Sequence, residues 1–132
     1  MRRTILAAVL AAAAGGAEAD PAAVQGVIGA QIEAFRADDF AGAFGYAGPG
    51  IVRMFRTPEN FGRMVRQGYP MVHRPAVVEF GRSEAVGADW AQEVTIEDAQ
   101  GGLHRLIYRM TETAEGWRIA GVSLVTLPEV GA

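Results

Sequence analysis

The spacing of apolar residues along the chain changes near Pro75. Before that residue the apolar side chains recur at helical spacing, as in Val24, Ile28, Ile32 and Phe35. After it, apolar and polar residues alternate, which is typical of half-buried strands. Turn residues at 86–87, 98–102 and 115–116 separate four such strands. The pattern therefore predicts an α+β fold in which helices precede an antiparallel sheet of about four strands.

Three helices are predicted from their start and stop signals. The first begins at Asp20-Pro21, because an aspartate accepts a free N–H of the first turn and proline fixes a helical φ. The second is capped by Asp38 or Asp39 and ends at Gly48-Pro49-Gly50. The third covers residues 58–67, after a Thr-Pro start signal.

The turn centred on Gln100 sets the register of the central hairpin. Three cross-strand pairs follow from it: Gln92 with Tyr108, Val94 with Leu106, and Ile96 with His104. We expect their face to pack against the helices and to include Trp90, Met110, Trp117, Ile119 and Val125. The opposite face is expected to carry Glu93, Glu97, Arg105, Arg109 and Arg118 with Ile107, Val122 and Leu124. That face is either solvated or the centre of a homodimer between two sheets.

The first 19 residues have the order of a signal peptide. A positive start at Arg2 and Arg3 precedes an apolar run, residues 5–14, and a small-residue cleavage site between Ala19 and Asp20. A helix of that run rises only about 15 Å, half of the ~30 Å hydrocarbon core, which argues against a permanent anchor. We expect an exported protein, periplasmic or secreted, with one domain over residues 20–132.

Composition excludes several chemistries. The chain contains no cysteine and no lysine, so disulfides, thiolate metal sites, cysteine nucleophiles and Schiff bases are absent. Its formal net charge is −3, which argues against nucleic-acid binding. The two histidines, His73 and His104, lack the spacing of metal ligands. We therefore predict no metal and no cofactor.

The positive charge is concentrated in one segment, residues 53–74. Arg53, Arg56, Arg63, Arg66 and Arg74 lie there with Tyr69 and His73 between them. Arginine binds carboxylates and phosphates through two parallel hydrogen bonds, so the cluster is a candidate site for a small anionic ligand, a lipid headgroup or an acidic protein partner. The alternative is a solvated surface paired with the domain's own acidic residues.

A second candidate site is the helix-facing side of the sheet. Trp90, Gln92, His104 and Tyr108 place polar groups on this otherwise apolar surface. A mostly apolar pocket with a few convergent polar groups is typical of small-molecule sites. In the alternative, Gln92 and Tyr108 bond each other or the backbone, and His104 lies at the open rim.

The order of elements, ending in Gly116-Trp117-Arg118-Ile119, resembles the nuclear-transport-factor-two-like superfamily (cystatin-like, SnoaL-like). This resemblance implies a cone-shaped fold with three helices on a curved sheet. Several segments more closely resemble an uncharacterised bacterial family, domain of unknown function 4864, over roughly residues 24–126. They are Asp38-Asp39-Phe40-Ala41, Met54-Phe55, Thr57-Pro58-Glu59-Asn60-Phe61, Met64-Val65-Arg66 and Gly68-Tyr69-Pro70-Met71-Val72. No activity follows from that family.

Two functions remain open from the sequence. The leading hypothesis is an exported, non-catalytic domain that binds a ligand or a protein. The alternative is a small-molecule isomerase or dehydratase, because relatives implied by the superfamily place Asp, His or Tyr inside the cone. We expect no carboxylate on the inner face, whereas a general base must lie within about 3 Å of its proton. A carboxylate or histidine in a sizeable cavity would favour the enzyme.

Overall fold

The helices occupy the first half of the chain, and the strands follow. The computed structural model describes residues 20–126, so the predicted signal peptide lies outside the described residues. The helices are α1 (Pro21–Arg36), α2 (Phe40–Phe44), α3 (Pro49–Phe55), α4 (Pro58–Gly68) and α5 (Pro70–His73). The strands β1 (Val77–Val86), β2 (Asp89–Glu97), β3 (Leu103–Thr113) and β4 (Gly116–Val125) form one open antiparallel sheet in sequential order. The α+β prediction is confirmed.

Three of the helices begin with a side-chain cap at a position predicted from the sequence. The carboxylate of Asp20 accepts from the N–H of Ala22 at 3.0 Å, at the start of α1. Asp39 caps α2, and Thr57 accepts from the N–H of Asn60 at 3.1 Å in the first turn of α4. Because the first N–H groups of a helix have no partner within it, each cap satisfies a donor that would otherwise stay free.

The prediction of three helices was wrong, since the described chain has five. Gly48-Pro49-Gly50 was expected to end the second helix, but α2 already ends at Phe44 and Pro49 begins α3. Glycine and proline are compatible with both events, because proline also suits the first position of a helix. Gly48 instead connects α3 to the sheet: its N–H donates to the carbonyl of Ile119 at 2.7 Å.

The register of the central hairpin is as predicted, with Gln92 opposite Tyr108. In β4 the register shifts, because Met110 lies opposite Ile119 but Arg109 lies opposite Gly121, which leaves Ala120 as an extra residue. Every side chain beyond the bulge therefore changes face. Val122 and Leu124 lie on the helix-facing side and Val125 lies on the outer side, which corrects the prediction for all three.

One face of α1 closes the core against the sheet. Val24, Ile28, Ile32 and Phe35 are at most 2% exposed, as their spacing predicts. They belong to the same buried cluster as Val94, Ile96, Leu106, Met110 and Ile119. Burial of such side chains stabilises a domain by about 1.5–3 kcal/mol each.

The outer face of the sheet carries charged pairs. Arg105 pairs with Glu93 at 3.5 Å, and Arg109 pairs with Asp89 at 3.1 Å. Ile107 lies half-buried opposite Glu93. These crossed pairs fit a solvated face, and the homodimer through this face stays a prediction.

Candidate functional site

A pocket of about 400 Å³ lies between α3, α4, α5 and β4. Its volume is in the range of small-molecule sites. Aliphatic and aromatic side chains form most of the wall, and its polar residues are Gln31, Tyr69 and Tyr108. Among residues 20–126, no acidic, basic or histidine side chain lines the wall. The pocket therefore suits a neutral, mostly apolar molecule.

Tyr108 provides the distinctive polar group of this wall. Its side chain is fully buried in the middle of β3, and its hydroxyl has no hydrogen-bond partner among the described residues. Burial, with a smaller contribution from neighbouring Tyr69, raises the pKa of Tyr108 above its usual value. The hydroxyl is therefore a neutral donor at physiological pH. Leaving such a donor unpaired costs about 1–3 kcal/mol.

The other two polar residues of the wall already have partners. Gln31 of α1 is buried, and its side-chain amide donates to the carbonyl of Ala43 at 3.1 Å. The hydroxyl of Tyr69 donates to the carbonyl of Val122 at 3.3 Å, which connects the end of α4 to β4. These bonds hold the wall in place, whereas the hydroxyl of Tyr108 has no partner among the described residues.

Of the four residues predicted for a pocket, only Tyr108 lines this one. Gln92 is fully buried, and its amide donates to the carbonyls of Gly81 and Glu93 at 3.1 and 2.8 Å. It thus bonds the backbone, in agreement with one alternative from the sequence. The indole N–H of Trp90 is buried without a partner among residues 20–126. The sequence placed these side chains on the correct face but not in one cavity.

The two histidines form matching pairs with aspartates. His73 lies 2.8 Å from Asp38, and His104 lies 2.8 Å from Asp98. Both histidines line a cleft of about 280 Å³ beside α5, separate from the apolar pocket. Within the described part of the chain, no group of three or more metal-ligating side chains is present. The hydrogen bonds from the histidines lower the pKa of both aspartates.

We expect acid to weaken the fold through these two aspartates. Because folding lowers their pKa, their contribution to stability is complete above the ordinary carboxyl pKa of about 4 and is lost as the pH falls below it. The double variant Asp38→Asn/Asp98→Asn should melt below wild type at pH 7, and this deficit should be smaller at pH 3. Thermal unfolding at both pH values measures this. Glu112→Gln is the control, and a deficit equal at both pH values would contradict the expectation.

The predicted arginine patch divides into three parts. Arg74 donates to both carboxylate oxygens of Asp38 and to the carbonyls of Phe35 and Arg36. With His73, it therefore closes the turn between α1 and α2, where Asp38 has a φ of +56°. Tyr69 belongs to the pocket wall. These residues therefore have a structural role. The pairing of Arg74 with Asp38 agrees with the alternative from the sequence, in which the arginines pair with the domain's own acidic residues.

The remaining arginines are exposed on α3, on α4 and at Arg56, which directly follows α3. Arg66 lies over the ring of Phe40, 5.0 Å from its centroid, and Arg63 donates to the side chain of Asn60. Arg53 and Arg56 form no ion pair with any described residue. The cluster therefore retains exposed positive charge on this side of the molecule.

Sequence reasoning missed the contribution of α3 to the pocket. Ile51, Met54 and Phe55 all line it. Their spacing of three and four residues was a signal for one helical face, but the preceding Gly48-Pro49-Gly50 was interpreted as a stop. Met54 is also 71% exposed, so it lies at the pocket mouth.

Comparison with known proteins identifies one family. Over residues 17–132 the chain matches the family described as Domain of unknown function (DUF4864). No curated protein and no solved structure matches the chain. The family match includes every described helix and strand.

Proposed function

Because the chain belongs to the family Domain of unknown function (DUF4864), whose description assigns no activity, we propose its function from the pocket geometry. The protein binds a small, neutral, mostly apolar molecule that carries a hydrogen-bond acceptor such as a carbonyl. The observation that carries this proposal is the buried hydroxyl of Tyr108, which has no hydrogen-bond partner within residues 20–126, in a wall to which those residues contribute no charged side chain.

The chemistry of the wall limits the ligand. Transfer of an apolar molecule from water into such a pocket is favourable by about 25 cal/mol per Å² of apolar surface. A charged ligand would lose its hydration without gaining an ion pair from the described residues, because none of those that line the wall is charged. A carbonyl near Tyr108 would accept the hydrogen bond that the hydroxyl lacks. The pocket therefore favours a neutral ligand over the anionic one considered from the sequence.

Binding without catalysis is the better-supported of the two functions. In the described part of the chain, no carboxylate and no histidine lines the wall to act as a general base. Tyr108 does not replace them, since its raised pKa keeps the phenol protonated. The isomerase or dehydratase alternative has no proton acceptor in this pocket.

We also propose the setting that the sequence indicates: export, and a cone-shaped fold of the nuclear-transport-factor-two-like type. Helices packed on one side of an open four-stranded sheet, with a pocket between them, support that fold. Removal of residues 1–19 would leave the cap at Asp20 intact. An intact mass that begins at Asp20 supports export; an uncleaved chain contradicts it.

The test of the ligand class is Tyr108→Phe. Prodan, a small neutral naphthalene ketone, is the probe, because its fluorescence reports whether its carbonyl accepts a hydrogen bond. We expect the variant to bind prodan about tenfold more weakly, the effect of one lost hydrogen bond of roughly 1.4 kcal/mol. Without ligand, the variant should be more stable than wild type by about 1 kcal/mol, since it no longer buries an unpaired donor.

N-phenyl-1-naphthylamine, which is apolar and lacks a carbonyl, is the matched probe. Its affinity should be equal in wild type and Tyr108→Phe. Equal affinity of both proteins for prodan would overturn the role of the hydroxyl. Failure of both probes to bind wild type would overturn the pocket function itself.

A further inference from the structure

The outer side of α3 combines exposed apolar and positive side chains. Ile51, Met54 and Phe55 face the pocket, whereas Val52 and Arg53 are exposed on the same short helix. Arg56 is also exposed and directly follows the helix. Val52 is 38% exposed and Met54 is 71% exposed. Apolar side chains exposed at a pocket mouth and flanked by charge are typical of an interaction surface.

The segment that contains this helix has a positive net charge. Residues 49–68, which include α3 and α4, carry four arginines and one glutamate, a net charge of +3. The other described residues, 20–48 and 69–126, sum to −6. Ion pairs between described residues involve none of these four arginines. Arg63 and Arg66 line a cleft together with Asp38, Asp39 and Glu59, whereas Arg53 lies on α3 and Arg56 directly follows it. The segment is therefore positive, and Arg53 and Arg56 are its arginines next to the pocket mouth.

We propose that the outer side of α3 docks reversibly on an anionic lipid surface, with Met54 and the pocket mouth at the interface. Arginines there contact anionic headgroups, and Val52 and Met54 enter the apolar boundary below them. The negative remainder of the molecule is repelled by the same surface, which orients the mouth toward the membrane.

The kind of ligand explains why a membrane is the partner. A neutral apolar molecule is poorly soluble in water and accumulates in a bilayer. A mouth placed on the bilayer lets such a ligand move into the pocket without crossing water. Movement of the ligand from the bilayer into the pocket rests on the proposed function, whereas docking itself depends only on α3 and the arginines. No described helix is long and apolar enough to cross a membrane.

The test is co-sedimentation of the protein, in the form processed by cells, with two kinds of vesicle. One is phosphatidylcholine alone, and in the other about a third of the lipid is phosphatidylglycerol. Wild type should bind only the anionic vesicles, and about 0.5 M salt should release it. Arg53→Gln/Arg56→Gln should bind about 30-fold more weakly, because each arginine near such a surface contributes about fivefold.

The matched control is Arg82→Gln/Arg118→Gln. It removes the same charge from two arginines of the sheet that form no ion pair with the described residues. We expect its vesicle binding to change less than about threefold, since Arg82 lines a cleft on the outer face of the sheet and Arg118 lies opposite Thr111 on that face, whereas α3 packs on the other side. An equal loss in the two double variants would show general charge attraction and would overturn the proposal.

Two further results separate the membrane from other partners. Val52→Ser should weaken vesicle binding about threefold without changing its salt dependence, because the lost contact is apolar. Equally tight binding to soluble polyglutamate, unaffected by Val52→Ser, would indicate an acidic protein partner and overturn membrane docking.

Prodan binding without vesicles separates this proposal from the proposed function. Arg53→Gln/Arg56→Gln should keep wild-type affinity for prodan, since neither arginine lines the pocket. Normal prodan binding with no vesicle binding by wild type would overturn docking alone. Vesicle binding without prodan binding would overturn the pocket function and leave docking in place.

Discussion

Replacing Val122 with tryptophan is expected to remove binding of prodan to the pocket, with a loss of affinity on the order of 100-fold, about 2.7 kcal/mol. Val122 lines the pocket and lies opposite Tyr108 in the β3–β4 pair, on the same face of the sheet. An indole at this position occupies space that the ligand needs and covers the approach to the phenol. Fluorescence titration with prodan measures the loss.

Ser123→Trp is the matched control for this variant. Ser123 is the next residue of β4, but it lies opposite Ile107, so its side chain is on the outer face of the sheet. The control adds the same side chain to the same strand and should keep wild-type affinity. Equal prodan binding by Val122→Trp and wild type would place the ligand elsewhere. Loss of binding in both variants would indicate a general effect on β4.

These two variants depend on a feature that the sequence did not reveal. The register of β2 and β3 was predictable, because a short turn at Gln100 fixes which residues lie opposite each other. The register at the end of β4 was not, because the bulge at Ala120 inserts a residue without a turn signal. Counting from the turn at Gly116 therefore placed Val122 on the wrong face, away from the pocket that it lines.

The helix boundaries, too, were only partly predictable from the sequence. Asp20 and Thr57 were recognised as starts because a polar cap before proline has one structural meaning. Gly48-Pro49 has two structural meanings, since it can end one helix and begin the next. Its position is decided by a tertiary contact, the hydrogen bond to Ile119, which local sequence does not contain. The pocket mouth on α3 was missed for this reason.

The composition of the site was predictable only in part. A strand alternation shows that Gln92 and Tyr108 share the helix-facing side, and both are buried there. It does not show that backbone carbonyls satisfy Gln92 while Tyr108 has no partner in the part of the chain that the structure describes. That difference depends on how close neighbouring strands and helices approach each side chain, and it determines which of the two is available to a ligand.

Phe35→Ala is expected to cost about 3–5 kcal/mol of the free energy of unfolding, the largest effect on stability among these variants. Phe35 is 1% exposed at the end of α1. Its ring centroid lies 6.0 Å from that of Phe40 and 5.8 Å from that of Phe61, which also lines the pocket. The substitution leaves a cavity beneath the pocket wall and removes these aromatic contacts.

Urea unfolding measures this loss, and Phe80→Ala is the control. Phe80 is 37% exposed near the bulge of β1, so its truncation should cost less than about 1.5 kcal/mol. Because a domain of this size is stable by only about 5–15 kcal/mol, Phe35→Ala can leave a substantial unfolded fraction. Phe35→Leu then provides the measurement, with an expected cost of about 1–1.5 kcal/mol, since leucine fills most of the space. Equal costs for the same substitution at positions 35 and 80, alanine with alanine or leucine with leucine, would mean that α1 does not form the core beneath the pocket.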